Sequence, residues 1–209
     1  MSLPNSDLAM EPGCPKQPRR RLPRTIREDQ INAAAMQAFR EHGYHGASIS
    51  QIAALAGLAD GALYKFYSSK KEILESVICR WYEGVLESYE LNLKAINSPE
   101  ERLRYAIRHN IHCLCEDPNI ASLYYELRRD RDFKSSRLIN YNKKYIGLLL
   151  KIIKELRGGY GESGVRLATI SRILYAAIEI GTERFRIHQE PLDQEALTNE
   201  ILKVARRLI

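Results

Sequence analysis

The stretch Ser48-Ile49-Ser50-Gln51-Ile52-Ala53-Ala54-Leu55-Ala56-Gly57-Leu58-Ala59-Asp60-Gly61-Ala62-Leu63-Tyr64-Lys65 decides the fold. Its first four residues form a capping box, in which the serine accepts a backbone N–H and the glutamine reaches back. The short helix that follows carries Ile52, Ala53 and Ala56 on one small apolar face. Gly57 supplies a turn, and a second short helical stretch runs over about residues 60–67. Leu58 and Leu63 plug back into a core, which leaves Asp60, Gly61, Ala62, Tyr64 and Lys65 pointing outward. Two short helices joined by a glycine turn describe a helix-turn-helix. The physics of that motif requires a second helix narrow enough to enter the major groove of DNA.

On both sides the chain reads as helix after helix. Upstream, Thr25-Ile26-Arg27-Glu28 is a second capping box, followed by the stripe Ile31, Ala34, Ala35, Ala38 and Phe39 and by Gly43 as a left-handed stop. Downstream, Ser69-Lys70-Lys71-Glu72 caps a long helix whose stripe is Leu74, Val77, Ile78, Trp81, Val85, Tyr89 and Leu93. Ser98-Pro99-Glu100-Glu101 starts another, buried along Leu103, Ile107, Ile111 and Leu114. A short helix over 120–127 precedes a long one marked by Leu138, Tyr141, Tyr145, Leu149, Ile152 and Leu156, which Gly158, Gly159, Gly161 and Gly164 break. The segment from 165 to about 186 is apolar on nearly every face and must be covered on several sides. After Pro191 comes a last amphipathic helix along Leu197, Ile201, Val204 and Leu208. No alternating strand pattern occurs. The expected fold is all-α, an N-terminal three-helix unit holding the helix-turn-helix followed by a larger helical bundle.

Residues 1–24 contain five prolines and a run of arginines. They read either as a solvated leader or as an arm lying along DNA phosphates. The expected division is a flexible basic arm at 1–24, a helix-turn-helix domain at 25–70 and a ligand-sensing and dimerisation domain at 71–209.

Composition narrows the class. The chain has 209 residues with 44% hydrophobic and 28% charged, enough for a real core and against global disorder. No apolar run approaches the roughly 18 to 20 residues of a membrane-spanning helix. Four cysteines do not make a disulfide scaffold, and a cytoplasmic location with reduced thiols fits. A net charge of +6 permits nucleic-acid binding without demonstrating it.

The runs Phe39-Arg40-Glu41-His42-Gly43-Tyr44, Ser48 to Ala53, Ala56-Gly57-Leu58 and Gly61 to Lys70 together resemble the TetR-type transcriptional regulators over roughly a quarter of the chain. The resemblance implies a DNA-binding head and a divergent helical bundle for dimerisation and ligand sensing. By it, Ser48 caps its helix and touches a phosphate, while Tyr64 and Lys70 contact phosphates. Ser50, Asp60, Ala62 and Lys65 would meet base edges. Gly61 completes the DNA-facing set, with Arg24 and Thr25 where the basic run meets the motif. The chain departs from the family pattern in three places. Ala59 stands where a capping serine is usual, Ala62 where threonine is usual, and Phe66-Tyr67 inverts the common order; Asp60 is then the candidate cap, one residue late.

The resemblance further implies that the helices at about 165–186 and 193–208 pair with their symmetry mates into a homodimer that reads a palindromic operator. The bundle would hold a small-molecule effector. Candidate lining residues are Trp81, Tyr82, Tyr105, His109, His112, Tyr124, Tyr125, Arg128, Tyr141 and Tyr145. Twelve tyrosines against four phenylalanines suit an amphipathic ligand, although any one of these rings also reads as plain core. Residues 120–128 resemble members that sense fatty acyl-CoA, with Arg128, Arg129 and Arg131 available to phosphates. His109, His112, Cys113 and Cys115 lie too close together on one helix for a good structural zinc site, so no metal or other cofactor is expected. No nucleophile motif appears, so no enzymatic activity is expected, and the resemblance implies a repressor. The rival reading is a helical small-molecule-binding or enzymatic protein with a vestigial helix-turn-helix.

Overall fold

The computed structural model describes residues 23–129, 135–160 and 165–209. The expected arm at 1–24 lies outside them except for its last two residues, as do Arg131, Gly161 and Gly164. Among the described residues there are nine α-helices, one 3-10 helix and no strand. None of these helices is long and apolar enough to cross a membrane.

Helix α1, Arg24–Gly46, starts one residue earlier than expected. Pro23 occupies its N-cap and no side chain caps it, so Thr25 lies inside the helix and the first capping box does not form. Arg24 and Glu28 pair across the first turn instead, at 2.7 Å. Gly43 breaks the helical path with φ 66° and ψ 176°, a conformation essentially confined to glycine, and the chain kinks into one last turn.

The box at Ser48 does form: its Oγ accepts from Gln51 N at 3.1 Å and Gln51 Oε1 accepts from Ser48 N at 2.8 Å. It opens α2, Ile49–Leu55, and Gly57 turns the chain at φ 65°. The second element is a 3-10 helix, Asp60–Lys65, rather than an α-helix. Its N-cap is Ala59, which has no side chain to hold an α-helical first turn, and Gly61 follows at once. The backbone settles for three-residue bonds, Ala62 N to Ala59 O at 2.8 Å and Phe66 N to Leu63 O at 2.9 Å. Leu63 and Ile52 are fully buried against Ile31, Ala35 and Phe39 of α1.

Helix α3, Lys70–Lys94, runs unbroken out of this unit, so the expected boundary at 70/71 falls in its first turn. The bundle adds α4 (Pro99–Glu116), α5 (Pro118–Arg129), α6 (Ser136–Tyr160), α7 (Leu167–Gly181), α8 (Glu183–His188) and α9 (Gln194–Leu208). Two expectations fail here. Gly158 and Gly159 continue α6 rather than break it. The segment read as one helix to about 186 divides at Thr182, whose buried hydroxyl donates to Ile178 O at 2.8 Å. Arg186 then claims Glu179 O at 3.0 Å, and such side-chain bonds to the helix backbone bend it. Helices α7, α8 and α9 leave Ile173, Ile180, Ile187 and Val204 exposed, with Ile180 68% accessible. This is an uncovered apolar face in the single chain.

Candidate nucleic-acid interface and ligand cavity

The helix-turn-helix presents Ser48, Ser50, Gly61, Tyr64 and Lys65 at the surface, with Ala62 half-buried among them. Arg24 and Thr25 are exposed at the start of α1. Tyr64 is 57% accessible despite its size, and Lys65 forms no ion pair or hydrogen bond with a described residue. The Asp60 side chain is not among those described. The backbone of the 3-10 helix thus puts one aromatic hydroxyl and one free ammonium on a single outward surface.

Lys70 is placed differently. Its Nζ donates to Ala47 O at 2.7 Å and to His45 O at 3.4 Å, and lies 4.6 Å from the centre of the Tyr44 ring. The lysine therefore caps the carbonyl end of α1, where a cation is favoured and the last C=O groups lack partners.

In the bundle, α3 to α7 surround a cavity of about 330 Å³. Its walls include six of the candidate residues, Trp81, Tyr82, Tyr124, Tyr125 and Tyr145, with Arg128 beside them. Tyr82 sits 5.4 Å from Tyr124 and 5.9 Å from Tyr145, centre to centre. The Tyr82 and Tyr124 hydroxyls both donate to Asn142 Oδ1, at 3.2 and 3.5 Å. Burial, reinforced by neighbouring tyrosines, pushes Tyr82, Tyr145 and Tyr175 well above the usual phenol range, so their hydroxyls stay protonated donors. Burial likewise pushes the Cys113 thiol up to about 12.

Four candidates do not line this cavity. His109 lies behind the wall: Nε2 meets Ser88 Oγ at 2.9 Å, Nδ1 meets the Tyr145 hydroxyl at 3.4 Å, and the ring stacks on Tyr89 at 5.1 Å. Burial, with the charge of His112 second, lowers its pKa to about 4. His112 points to solvent beside Glu116. Tyr105 stacks on Tyr89 at 6.1 Å, next to His109, and Tyr141 donates to Glu83 at 3.1 Å. Helical spacing placed these rings near the bundle but not on the correct side of their helices.

Sequence reasoning also missed wall residues. Asn110 and Asn142 line the cavity, and α7 contributes Tyr175, Ser171, Arg172 and Glu179. A signal existed for the asparagines. Each interrupts an apolar stripe at helical spacing, Asn110 between Leu103, Ile107 and Leu114, Asn142 between Leu138, Tyr145 and Leu149. Reading α7 as a dimer helix alone concealed its inner face.

Cavity and head are close neighbours. Tyr125 lines the cavity and also a groove of about 600 Å³ between α1, α5 and α8. At the opposite end of α5, Arg40 of α1 forks onto Asp117 with two bonds of 2.6 Å, and Asn119 donates to Arg40 O at 2.7 Å. On the cavity rim, Glu179 receives both Arg128, at 3.1 Å, and Arg129, at 2.8 Å.

Comparison with known proteins agrees with this geometry. Residues 31–77 match the N-terminal model of the bacterial regulatory proteins of the tetR family. The chain is 27% identical over 177 residues to the fatty acid metabolism regulator protein of Bacillus subtilis, covering 84% of this chain and 91% of that protein. It is 34% identical over 87 residues to the transcriptional activator FasR of Mycolicibacterium smegmatis, 42% of this chain and 40% of that one. The crystal structure of the transcriptional regulator FadR from Bacillus subtilis, solved with stearoyl-CoA, superposes with a TM-score of 0.74 at 26% identity, covering 87% and 98% of the two chains. With the helix-turn-helix seated on a bundle of this architecture, residues 31–77 carry the N-terminal domain of the tetR family of bacterial regulatory proteins, and the chain as a whole is similar to TetR-type transcriptional regulators.

Proposed function

We propose that the protein is a homodimeric repressor that binds a palindromic operator and is released by an acyl-CoA effector held in the bundle. The observation that carries this reading is the cavity itself, walled by aromatic rings, rimmed by arginines and in line with the head through α5. Similarity to a regulator solved with stearoyl-CoA supports the chemical class of the effector.

In this reading residues 25–70 form the DNA-binding head, 71–209 the sensing and dimerisation domain, and the protein is a regulator rather than a catalyst, acting in the cytoplasm. Ser48, Tyr64 and nearby backbone N–H groups position the head on phosphates, while Ser50, Asp60, Ala62 and Lys65 face base edges. Arg24, Thr25 and Gly61 border that surface, and Lys70 acts by holding the end of α1 in place. The apolar face on α7 and α9 packs against its two-fold mate, which sets two heads about 34 Å apart for successive major grooves. Phosphates of the effector compete with Glu179 for Arg128 and Arg129. The resulting shift of α5 reaches α1 through Asp117 and Arg40. Release then follows because the effector binds the DNA-incompetent spacing more tightly.

The test is a mobility-shift titration on DNA upstream of the protein's own gene, at two salt concentrations, with and without acyl-CoA. Tight, salt-sensitive binding that acyl-CoA abolishes is expected. Binding that acyl-CoA strengthens would make it a ligand of the DNA-bound state and overturn the release mechanism, and binding indifferent to it would remove acyl-CoA as effector.

A further inference from the structure

Two polar side chains of the cavity wall make no hydrogen bond with a described residue. Asn110, on α4, is about nine-tenths buried and lines the cavity, yet its side-chain amide makes no hydrogen bond with a described residue. The hydroxyl of Tyr125, buried on α5, is in the same situation. Neither polar group is sealed from solvent, and a guest that displaces the water there must replace its hydrogen bonds. Each of these therefore marks a position where a guest's own polar atom completes the set. The asparagine offers two N–H donors and a carbonyl acceptor, and the phenol one donor and an acceptor.

Size and wall chemistry limit the guest further. An apolar cavity of about 150 Å³ accepts one benzene ring. The 330 Å³ available here suits a group of about a dozen non-hydrogen atoms. A stearoyl chain has more non-hydrogen atoms than that. It would also lay hydrocarbon against the Asn110 amide and the Tyr125 hydroxyl and leave both unpaired. Trp81, Tyr82 and Tyr124, with centroids 5.4 to 6.1 Å apart, instead provide ring surfaces suited to offset or edge-to-face contact with another ring.

We propose that the cavity binds the acyl group of an aromatic thioester, a compact arene whose ring carries a hydroxyl or keto oxygen that meets Asn110 and Tyr125. The thioester half of this statement rests on the acyl-CoA reading above; the ring and its oxygen follow from the cavity walls. Arg172, on the rim and without an ion pair among the described residues, is then open to the phosphates of the carrier.

Trp81 is the chain's single tryptophan and lies in the wall, so its fluorescence reports occupancy directly. The intact protein is titrated with 4-hydroxycinnamoyl-CoA, cinnamoyl-CoA, stearoyl-CoA, CoA and free 4-hydroxycinnamate. The hydroxylated thioester is expected to bind at least tenfold more tightly than either the unsubstituted ring or the stearoyl ester. Asn110→Leu, close in volume, should erase the difference between the two cinnamoyl esters without weakening stearoyl-CoA. Tyr125→Phe, which keeps the ring, should reduce that difference and serves if the leucine variant does not fold. Equal or tighter binding of stearoyl-CoA would overturn the aromatic pocket and leave the acyl-CoA reading standing. Binding of the free acid with no thioester would do the reverse, and absence of binding by every probe would overturn both.

Discussion

Tyr67 and Tyr125 are both buried tyrosines, one in the head and one in the bundle, and their hydroxyls have opposite fates. The Tyr67 hydroxyl accepts from Asn32 Nδ2 at 2.9 Å and forms a hydrogen bond with Ser76 Oγ at 3.1 Å. The Tyr125 hydroxyl makes no hydrogen bond with a described residue, and its side chain lines a cavity. In the head, small side chains such as Ala34, Ala35, Ala38 and Ala53 pack closely around Phe39 and Leu63. In the bundle, bulky rings stand around a space that they do not fill. The head closes around its polar groups, leaving only Asn32 Oδ1 buried without a hydrogen bond among its described residues, whereas the bundle opens polar groups onto a space that a guest can enter.

The sharpest break of this contrast would come at Lys70. If its ammonium is tied into the head as strongly as its geometry indicates, Lys70→Met should cost about 1.5 to 3 kcal/mol, the range for hydrogen bonds to a charged group. Urea unfolding followed by circular dichroism measures it. Tyr64→Phe should leave the unfolding curve in place while weakening binding to all DNA sequences, because that hydroxyl is free in the structure. Wild-type stability for Lys70→Met would return the lysine to the phosphate-contacting role that the family resemblance suggests.

In the bundle, the buried His109 gives a pH signature. Its folded pKa of about 4 lies below the ordinary 6.5, so below pH 6.5 the unfolded chain takes up a proton that the folded chain refuses. Stability therefore falls as pH drops from 6.5 towards 4, with a slope of at most about 1.4 kcal/mol per pH unit. Above 6.5 this contribution is flat. His109→Gln should remove the slope in pH-resolved thermal unfolding. A wild-type curve flat over that window would show that the imidazole is solvated and the cavity's back wall is open.

The opening comparison has its own direct test, of smaller size. Tyr67→Phe should lose about 1 kcal/mol, since Asn32 and Ser76 each give up a partner. Tyr125→Phe should be near neutral in the absence of ligand, because its hydroxyl makes no hydrogen bond with a described residue that could be lost. Comparable losses in both variants would mean that Tyr125 has a partner in solution and that the bundle is as tied down as the head.

How much of this was legible follows the same division. Local rules expose the head: Ser48 and Gln51 form the box that their spacing announces, and Gly57 turns where a positive φ is needed. They falter where a cap is missing, as at Ala59, where the expected α-helix tightens into a 3-10 turn. The bundle depends on which side of a helix faces inward, and a difference of one residue decides it. His109 and His112 share a helix and differ by about 300° of rotation, enough to put one behind the cavity wall and the other in water. Arg186 shows a further limit. Its burial over the Tyr125 ring, 4.7 Å from the centre, and its bond to the carbonyl of Glu179 depend on the break at Thr182, which no periodicity reveals.

The smallest effect on stability concerns the contact between the two regions. Arg40 and Asp117 form a fork with two short bonds, but the arginine side chain is 49% exposed, and such pairs contribute only about 0.2 to 1 kcal/mol. Removing it with Arg40→Ala or Asp117→Asn should scarcely move the melting temperature. Its position at the start of α5, whose later residues Tyr124, Tyr125 and Arg128 line the cavity, gives it a different importance. If α5 carries the effector's signal, either substitution should leave effector affinity and DNA affinity near wild type while reducing the factor by which each ligand weakens the other. That factor is a coupling free energy and must be equal when measured from either side. Titrating DNA at fixed effector and effector at fixed DNA therefore gives an internal check. A double mutant that loses no more coupling than either single one would identify the pair as one link between the regions. Unchanged coupling in all three variants would move the link to the continuous helix α3, the other element that joins head and cavity.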